Sequence, residues 1–353
     1  MADWINQRNK YTFRSIFLFL VGLLLVAACA KASIVEPTVK SPLLSSNLPT
    51  PELLATDTVE PPITTPVNNA TPSLAASRTP PGHTGKVTPI VPGEITSPTP
   101  SPTLGPDGWK KLPIMPEPGE RVVEIYQRGL ELGNNPYAFS KVGDCGSTPA
   151  WFLGDFDRGE DFYRLGKYQY LKSVILAYQG SFERTSLAAR SGFNASSLLT
   201  TLWTDLKTCQ INETPLECEY RVHKPMIAII TLGTNDIWRP EEFEPQMRKI
   251  IEYTIQEGVI PILATKADDA EGDGSINSTI AELALEYEVP LWNYWLAVQP
   301  LPGHGLQGDG AHLTFGRNFF DSPLELSKAW PIRNLTALQA LNQVWMKITG
   351  QTE

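Results

Sequence analysis

Beyond the first hundred residues, apolar positions follow two alternating periods. Between Gly119 and Leu132 they fall at Val122, Val123, Ile125, Tyr126, Leu130 and Leu132, the spacing of one helix face, and the pattern stops at Gly133. The segment from Tyr137 to Val142 then reads as a strand. Met226 to Leu232 (MIAIITL) is a continuous β-branched run, expected for a strand covered on both faces. From Glu241 to Glu257 the helical spacing returns, with Phe243, Met247, Ile250, Ile251 and Ile255 on one face and Gly258 as the stop. Val259 to Thr265 reads as a buried strand, Asn277 to Tyr287 as a helix, Val289 to Asn293 as a short strand, and Leu335 to Ile348 as a closing helix. Strands alternating with helices predict an α/β fold, a three-layer α/β/α sandwich on a mostly parallel sheet. No internal repeat is visible.

The first hundred residues differ in kind. Arg8, Lys10 and Arg14 precede an apolar run from Ile16 to Ala28, of signal-peptide length and short for a membrane span. The run ends in Val26-Ala27-Ala28-Cys29, which resembles a bacterial lipobox. That predicts a lipoprotein signal over residues 1–29, lipidation at Cys29, and anchoring of an exported protein at a membrane surface. Of the 31 prolines, 14 lie between Ser41 and Pro102, among many Thr and Ser. So little apolar surface cannot offset the entropy of ordering the chain, so residues 30–108 read as a disordered tether. A tether of about 75 residues reaches on the order of 50 Å. Residues 109–353 remain, enough for one sizeable core. The net charge of −9 comes without basic runs, which disfavours nucleic acid as a partner.

Four cysteines divide unevenly. Cys29 is assigned to lipid, and the spacing of Cys209 and Cys218 suits a loop-closing disulfide in an exported protein. Cys145 is left over, as a reactive thiol or as a small buried apolar residue.

In parallel sheets of this kind active groups collect beyond the carboxyl ends of the strands. Gly143-Asp144-Cys145-Gly146 follows the first strand, Arg190-Ser191-Gly192-Phe193 precedes a helical stretch from Ser196, Gly233-Thr234-Asn235-Asp236 follows the apolar strand, and Asp309-Gly310-Ala311-His312 comes late. In order and content these segments resemble the four blocks of the SGNH, or GDSL, hydrolases, over about residues 136–314. The resemblance implies a flavodoxin-like sandwich and ester hydrolysis or acyl transfer; the sequence carries no evident metal cluster or phosphate loop, so no cofactor is expected. Cys145 would be the nucleophile, His312 the base and Asp309 its orienter, with the Cys145 N–H, Gly192 and Asn235 as oxyanion donors and Asp144, Gly233 and Asp236 in support. The residue types suit that chemistry independently. Acyl transfer needs a nucleophile, a base and oxyanion donors, and a carboxylate three residues before a histidine can fix its tautomer through a local turn.

Where that family has serine, this chain has Cys145, and three readings follow. Cys145 attacks as a thiolate and forms a thioester; Ser147 takes over, displaced by several ångströms; or the site has lost catalysis and the domain is a surface binding module for glycans or other polymers. His304 is a reserve candidate for the base, although no carboxylate stands three residues before it. Trp151, Phe152, Trp238, Trp292 and Trp295 lie near the loops, and Trp238 is placed to line a cleft. The expected partner is an ester-bearing small molecule or glycan, with the membrane engaged through the lipid anchor.

Overall fold

The computed structural model describes residues 104–105 and 107–351. The signal segment with Cys29, and all but the end of the tether, lie outside the described residues.

Four parallel strands make the main sheet: β1 (Asn135–Gly143), β3 (Pro225–Thr231), β4 (Ile260–Ala264) and β5 (Leu291–Trp292), in the order β1-β3-β4-β5. Every residue of β3 and β4 is buried, which is why both read as uninterrupted apolar runs rather than alternating ones. Val142 pairs with Ile230 and Gly143 with Thr231, so β1 and β3 end level with each other. On the outer side of β1 an isolated parallel bridge joins Gly143 to Ala189, which leads the chain into the Arg190–Phe193 turn. Two short strands, β2 (Tyr163–Arg164) and β6 (Asn318–Phe319), pair separately.

Helices cover the sheet. The Pro240–Gln256 and Ser275–Glu286 helices pack together, as do the Glu120–Glu131 and Ala329–Thr349 helices, with the sheet between the two pairs. This is the expected three-layer α/β/α sandwich. Its core is built from Ile227, Ile229, Ile260, Ile262 and Leu263 of the sheet against Val122, Phe243, Ile250, Ile280, Leu338 and Leu341 of the helices.

Three local expectations need correction. The segment that the Cys209–Cys218 disulfide closes is not all loop. A helix spans Pro215–His223, opened by Thr214 and Glu217 bonding reciprocally to each other's backbone N–H, with Pro215 in its first turn. Its buried Glu219 accepts hydrogen bonds from the Leu187 N–H (2.7 Å) and Arg184 (2.7 Å), fastening the segment that leads to Ala189. The closing helix begins at Ala329 rather than Leu335, because Pro331 sits in the first turn, where an N–H has no intrahelical acceptor to lose. The helical stretch from Ser196 is one 3-10 turn, Ser196–Leu199. The disulfide between Cys209 and Cys218 is present, and Cys145 remains a thiol. Among the described residues no helix is long and apolar enough to cross a membrane.

Candidate active site

Beyond the carboxyl ends of β1, β3, β4 and β5 opens a cleft of about 350 Å³. Asp144, Cys145, Asn235, Asp309 and His312 all line it, together with Thr234, Lys266, Asp268, Trp330 and Arg333.

The first block is a tight turn imposed by packing at the end of β1. A side chain at Gly143 would collide with the Thr231 carbonyl and the Ser147 hydroxyl, so only glycine lets the two strand ends lie level. The turn then closes on itself. The Asp144 carboxylate accepts the Gly146 N–H (2.8 Å), the Asp144 carbonyl accepts the Ser147 N–H (3.0 Å), and the Cys145 carbonyl accepts the Thr148 hydroxyl (2.8 Å). Cys145, the first residue of this 3-10 turn, is half-buried against the cleft. Ser147 is fully buried, shares a hydrogen bond with the Thr231 hydroxyl, and does not line the cleft. That removes the reading in which Ser147 replaces the nucleophile.

The fourth block carries its own geometry. The Asp309 carboxylate accepts the backbone N–H of Ala311 (3.1 Å) and of His312 (3.0 Å) on one oxygen, and His312 Nδ1 (2.6 Å) on the other. The same carboxylate therefore folds the turn and fixes the ring. Burial by itself raises the Asp309 carboxyl, but the hydrogen bonds from His312 and Ala311 outweigh it and hold the group below its ordinary value. With Nδ1 bound to the carboxylate, Nε2 is the basic nitrogen of the imidazole. The loop is stapled from both sides, since Gln307 donates to the His312 carbonyl (2.7 Å) and the Gln307 side chain to the Leu313 carbonyl (2.8 Å).

The third block ties the loops together. Asn235 Nδ2 donates to the Phe193 carbonyl (2.9 Å), and the Asp236 carboxylate accepts the N–H groups of Ala195 (2.9 Å) and Gly233 (3.1 Å). Burial raises the Asp236 carboxyl to about 6 despite those two donors. Asn235 keeps a second amide hydrogen beyond the one given to Phe193. Behind Thr234 the wall is ionic: its hydroxyl donates to Asp268 (2.9 Å), and Lys266 reaches both Asp268 (2.8 Å) and Glu271.

Not every expected residue arrives. Gly192 is exposed, has a φ of 82°, and is not among the residues lining the cleft; its loop is held to the third block through Phe193 and Ala195. His304 bonds the Gln299 carbonyl through Nδ1 (3.0 Å), is exposed, and stands outside the cleft, which removes it as a reserve base. Of the aromatics, Trp151 and Trp238 line the cleft, whereas Phe152 and Trp292 are fully buried and Trp295 packs edge-on to Trp109 (4.9 Å). Trp330, stacked on Trp151 at 5.5 Å, and Phe315 extend that aromatic wall and were not signalled by the sequence. Arg333, Lys266 and Asp268 were not signalled either, since each reaches the cleft only through tertiary packing.

No protein-family model matches the chain, and no curated protein matches it. Among solved structures it is similar to a GDSL-like lipase from Bacteroides thetaiotaomicron, at 14% identity over 63% of this chain and 98% of that one, with a TM-score of 0.37. A lipase/acylhydrolase from Enterococcus faecalis is 19% identical over 61% and 99%, with a TM-score of 0.37. An acetyl xylan esterase from Geobacillus stearothermophilus is 16% identical over 58% and 94%, with a TM-score of 0.35. Likenesses this distant leave the chemistry to be read from the chain's own residues. Residues from three of the four blocks through which the sequence resembles the SGNH/GDSL hydrolases line one cleft, and the second block is tied to the third.

Proposed function

We propose that this chain is an ester hydrolase or acyltransferase working through Cys145, His312 and Asp309. One observation carries the reading: a cysteine thiol and an aspartate-oriented histidine line the same cleft, beside an asparagine amide. In this mechanism the Cys145 thiol gives its proton to His312 Nε2 as sulfur attacks the ester carbonyl carbon. The Cys145 N–H and the second Asn235 amide hydrogen receive the oxyanion. Collapse of the tetrahedral intermediate breaks the C–O bond, and the imidazolium returns its proton to the departing alkoxide. The resulting thioester is then opened by water, or by an acceptor hydroxyl, with His312 as the base. The aromatic wall of Trp151, Phe315 and Trp330 suits an acylated carbohydrate as substrate, since aromatic faces take up the apolar faces of sugars. In the cell this domain stands outside the cytoplasm, held to a membrane by lipid on Cys29.

The test is turnover of 4-nitrophenyl acetate and of a matched thioester, together with alkylation of Cys145 by iodoacetamide. Activity that vanishes in Cys145→Ala and returns in part in Cys145→Ser supports the mechanism. No turnover together with a thiol that resists iodoacetamide sinks it, and favours a binding module on the same fold.

A further inference from the structure

Arg333 has no role in that mechanism, yet it forms part of the cleft. It lies in the first turns of the Ala329–Thr349 helix, with its guanidinium over Phe152 (4.8 Å), Trp330 (5.3 Å) and Tyr294 (5.6 Å). Three rings hold the planar group in one orientation. Its Nε is buried without a hydrogen-bond partner. The other charges lining the cleft are engaged: Lys266 with Asp268 and Glu271, Asp309 with His312, and Asp144 on the Gly146 N–H.

The guanidinium also sits close to the turn that carries Cys145. A side-chain carbon at Gly146, the residue after Cys145, would come to 2.9 Å from Arg333 Nη1. Glycine there keeps the guanidinium edge open beside the nucleophile turn. A buried guanidinium donor normally has an acceptor, and a planar fork held by aromatic rings matches a carboxylate in two parallel hydrogen bonds.

We propose that Arg333 binds a carboxylate carried by the substrate next to the scissile ester, so that the cleft selects anionic esters over neutral ones. The inference rests on the ester chemistry proposed above. It names Arg333 as the residue that reads substrate charge, and Phe152, Tyr294 and Trp330 as the residues that aim it.

The test compares three esters of one acyl group, phenyl acetate and the 3- and 4-acetoxybenzoates, each corrected for its hydrolysis in buffer. The wild-type protein is expected to favour at least one acetoxybenzoate over phenyl acetate in kcat/KM. In Arg333→Gln that preference falls about ten- to hundred-fold, the range of a lost charge-assisted hydrogen bond, and Arg333→Lys, which keeps charge but not the fork, falls between. Circular dichroism and thermal melting establish that each variant is folded. Equal loss on charged and neutral esters overturns the proposal, because Arg333 would then act on the nucleophile or on the fold. An unchanged preference overturns it too. A second measurement does not depend on turnover: calorimetric binding of 4-hydroxybenzoate and of phenol to Cys145→Ala, with and without Arg333→Gln. Binding of 4-hydroxybenzoate that needs Arg333 while phenol is indifferent supports the anion site, even if no ester is ever turned over. No dependence on Arg333 in that binding overturns the site and leaves the hydrolase reading standing.

Discussion

Asp309→Asn separates orientation of the base from stability of the fold. In the structure one Asp309 oxygen takes two backbone N–H groups and the other takes His312 Nδ1. The asparagine carbonyl can still accept the backbone donors, so the turn survives. Its amide nitrogen then faces Nδ1, and two donors cannot share that contact. The ring switches to the tautomer with hydrogen on Nε2, and the base is lost. A wrong tautomer costs about 10⁴ in rate in triads of this kind, or about 5 kcal/mol of transition-state stabilisation. The folding cost is far smaller. The Asp309 side chain is 42% exposed, so solvent screening limits its ion pair to about 1 kcal/mol or less. For a domain of this size that corresponds to a melting shift of about 2–4 °C. The assay is kcat/KM on 4-nitrophenyl acetate alongside a thermal melt of the same sample. Activity within tenfold of wild type would refute the assignment of Asp309 as orienter. So would a loss of activity matched by collapse of the melting transition.

Further expectations concern the nucleophile turn and the third block. Ser147→Ala should leave kcat/KM within a few-fold of wild type and lower stability by about 1 kcal/mol, the cost of leaving the buried Thr231 hydroxyl without its partner; a hundred-fold loss in a folded variant would reinstate Ser147 as nucleophile. Gly143→Ala forces a carbon against the Thr231 carbonyl and should cost about 1–3 kcal/mol in a urea titration, and an unmoved midpoint would contradict that packing. Asp236, with its carboxyl raised to about 6, makes the folded state bind more protons than the unfolded chain between about pH 4 and pH 6. Its contribution to stability is therefore full below about pH 4 and lost as pH rises through 6, on the order of 3 kcal/mol. Urea titrations across that range should show this decline in the wild type relative to Asp236→Asn, and parallel curves would disprove it.

The sheet was legible because burial on both faces writes itself as unbroken apolar runs; β3 and β4 lie within a residue or two of where those runs placed them. The Asp309–His312 pair was legible because its contact spans three residues and needs no tertiary information. The Pro215–His223 helix was missed although Thr214, Pro215 and Glu217 spell its start, because the cysteine bracket suggested a loop and the helix itself is short. The placements of Gly192 and Arg333 were not legible for a different reason. One sits on a loop whose direction is set by Asn235 and Asp236 across the sheet, and the other on a helix more than 180 residues from Cys145. No local pattern encodes either placement.

The base and its orienter ride on a single four-residue turn, and the bonds that join them run between Asp309, Ala311 and His312 of that turn. Movement of the loop displaces the imidazole and carboxylate as one rigid cartridge, so their mutual geometry tolerates drift in the surrounding scaffold. Only one spacing, from that cartridge to the Cys145 turn, has to be held by the whole fold. Grafting the loop of Gln307 to Leu313 onto another sheet of this architecture should transfer a ready-oriented histidine, with the recipient supplying only the distance to its own nucleophile.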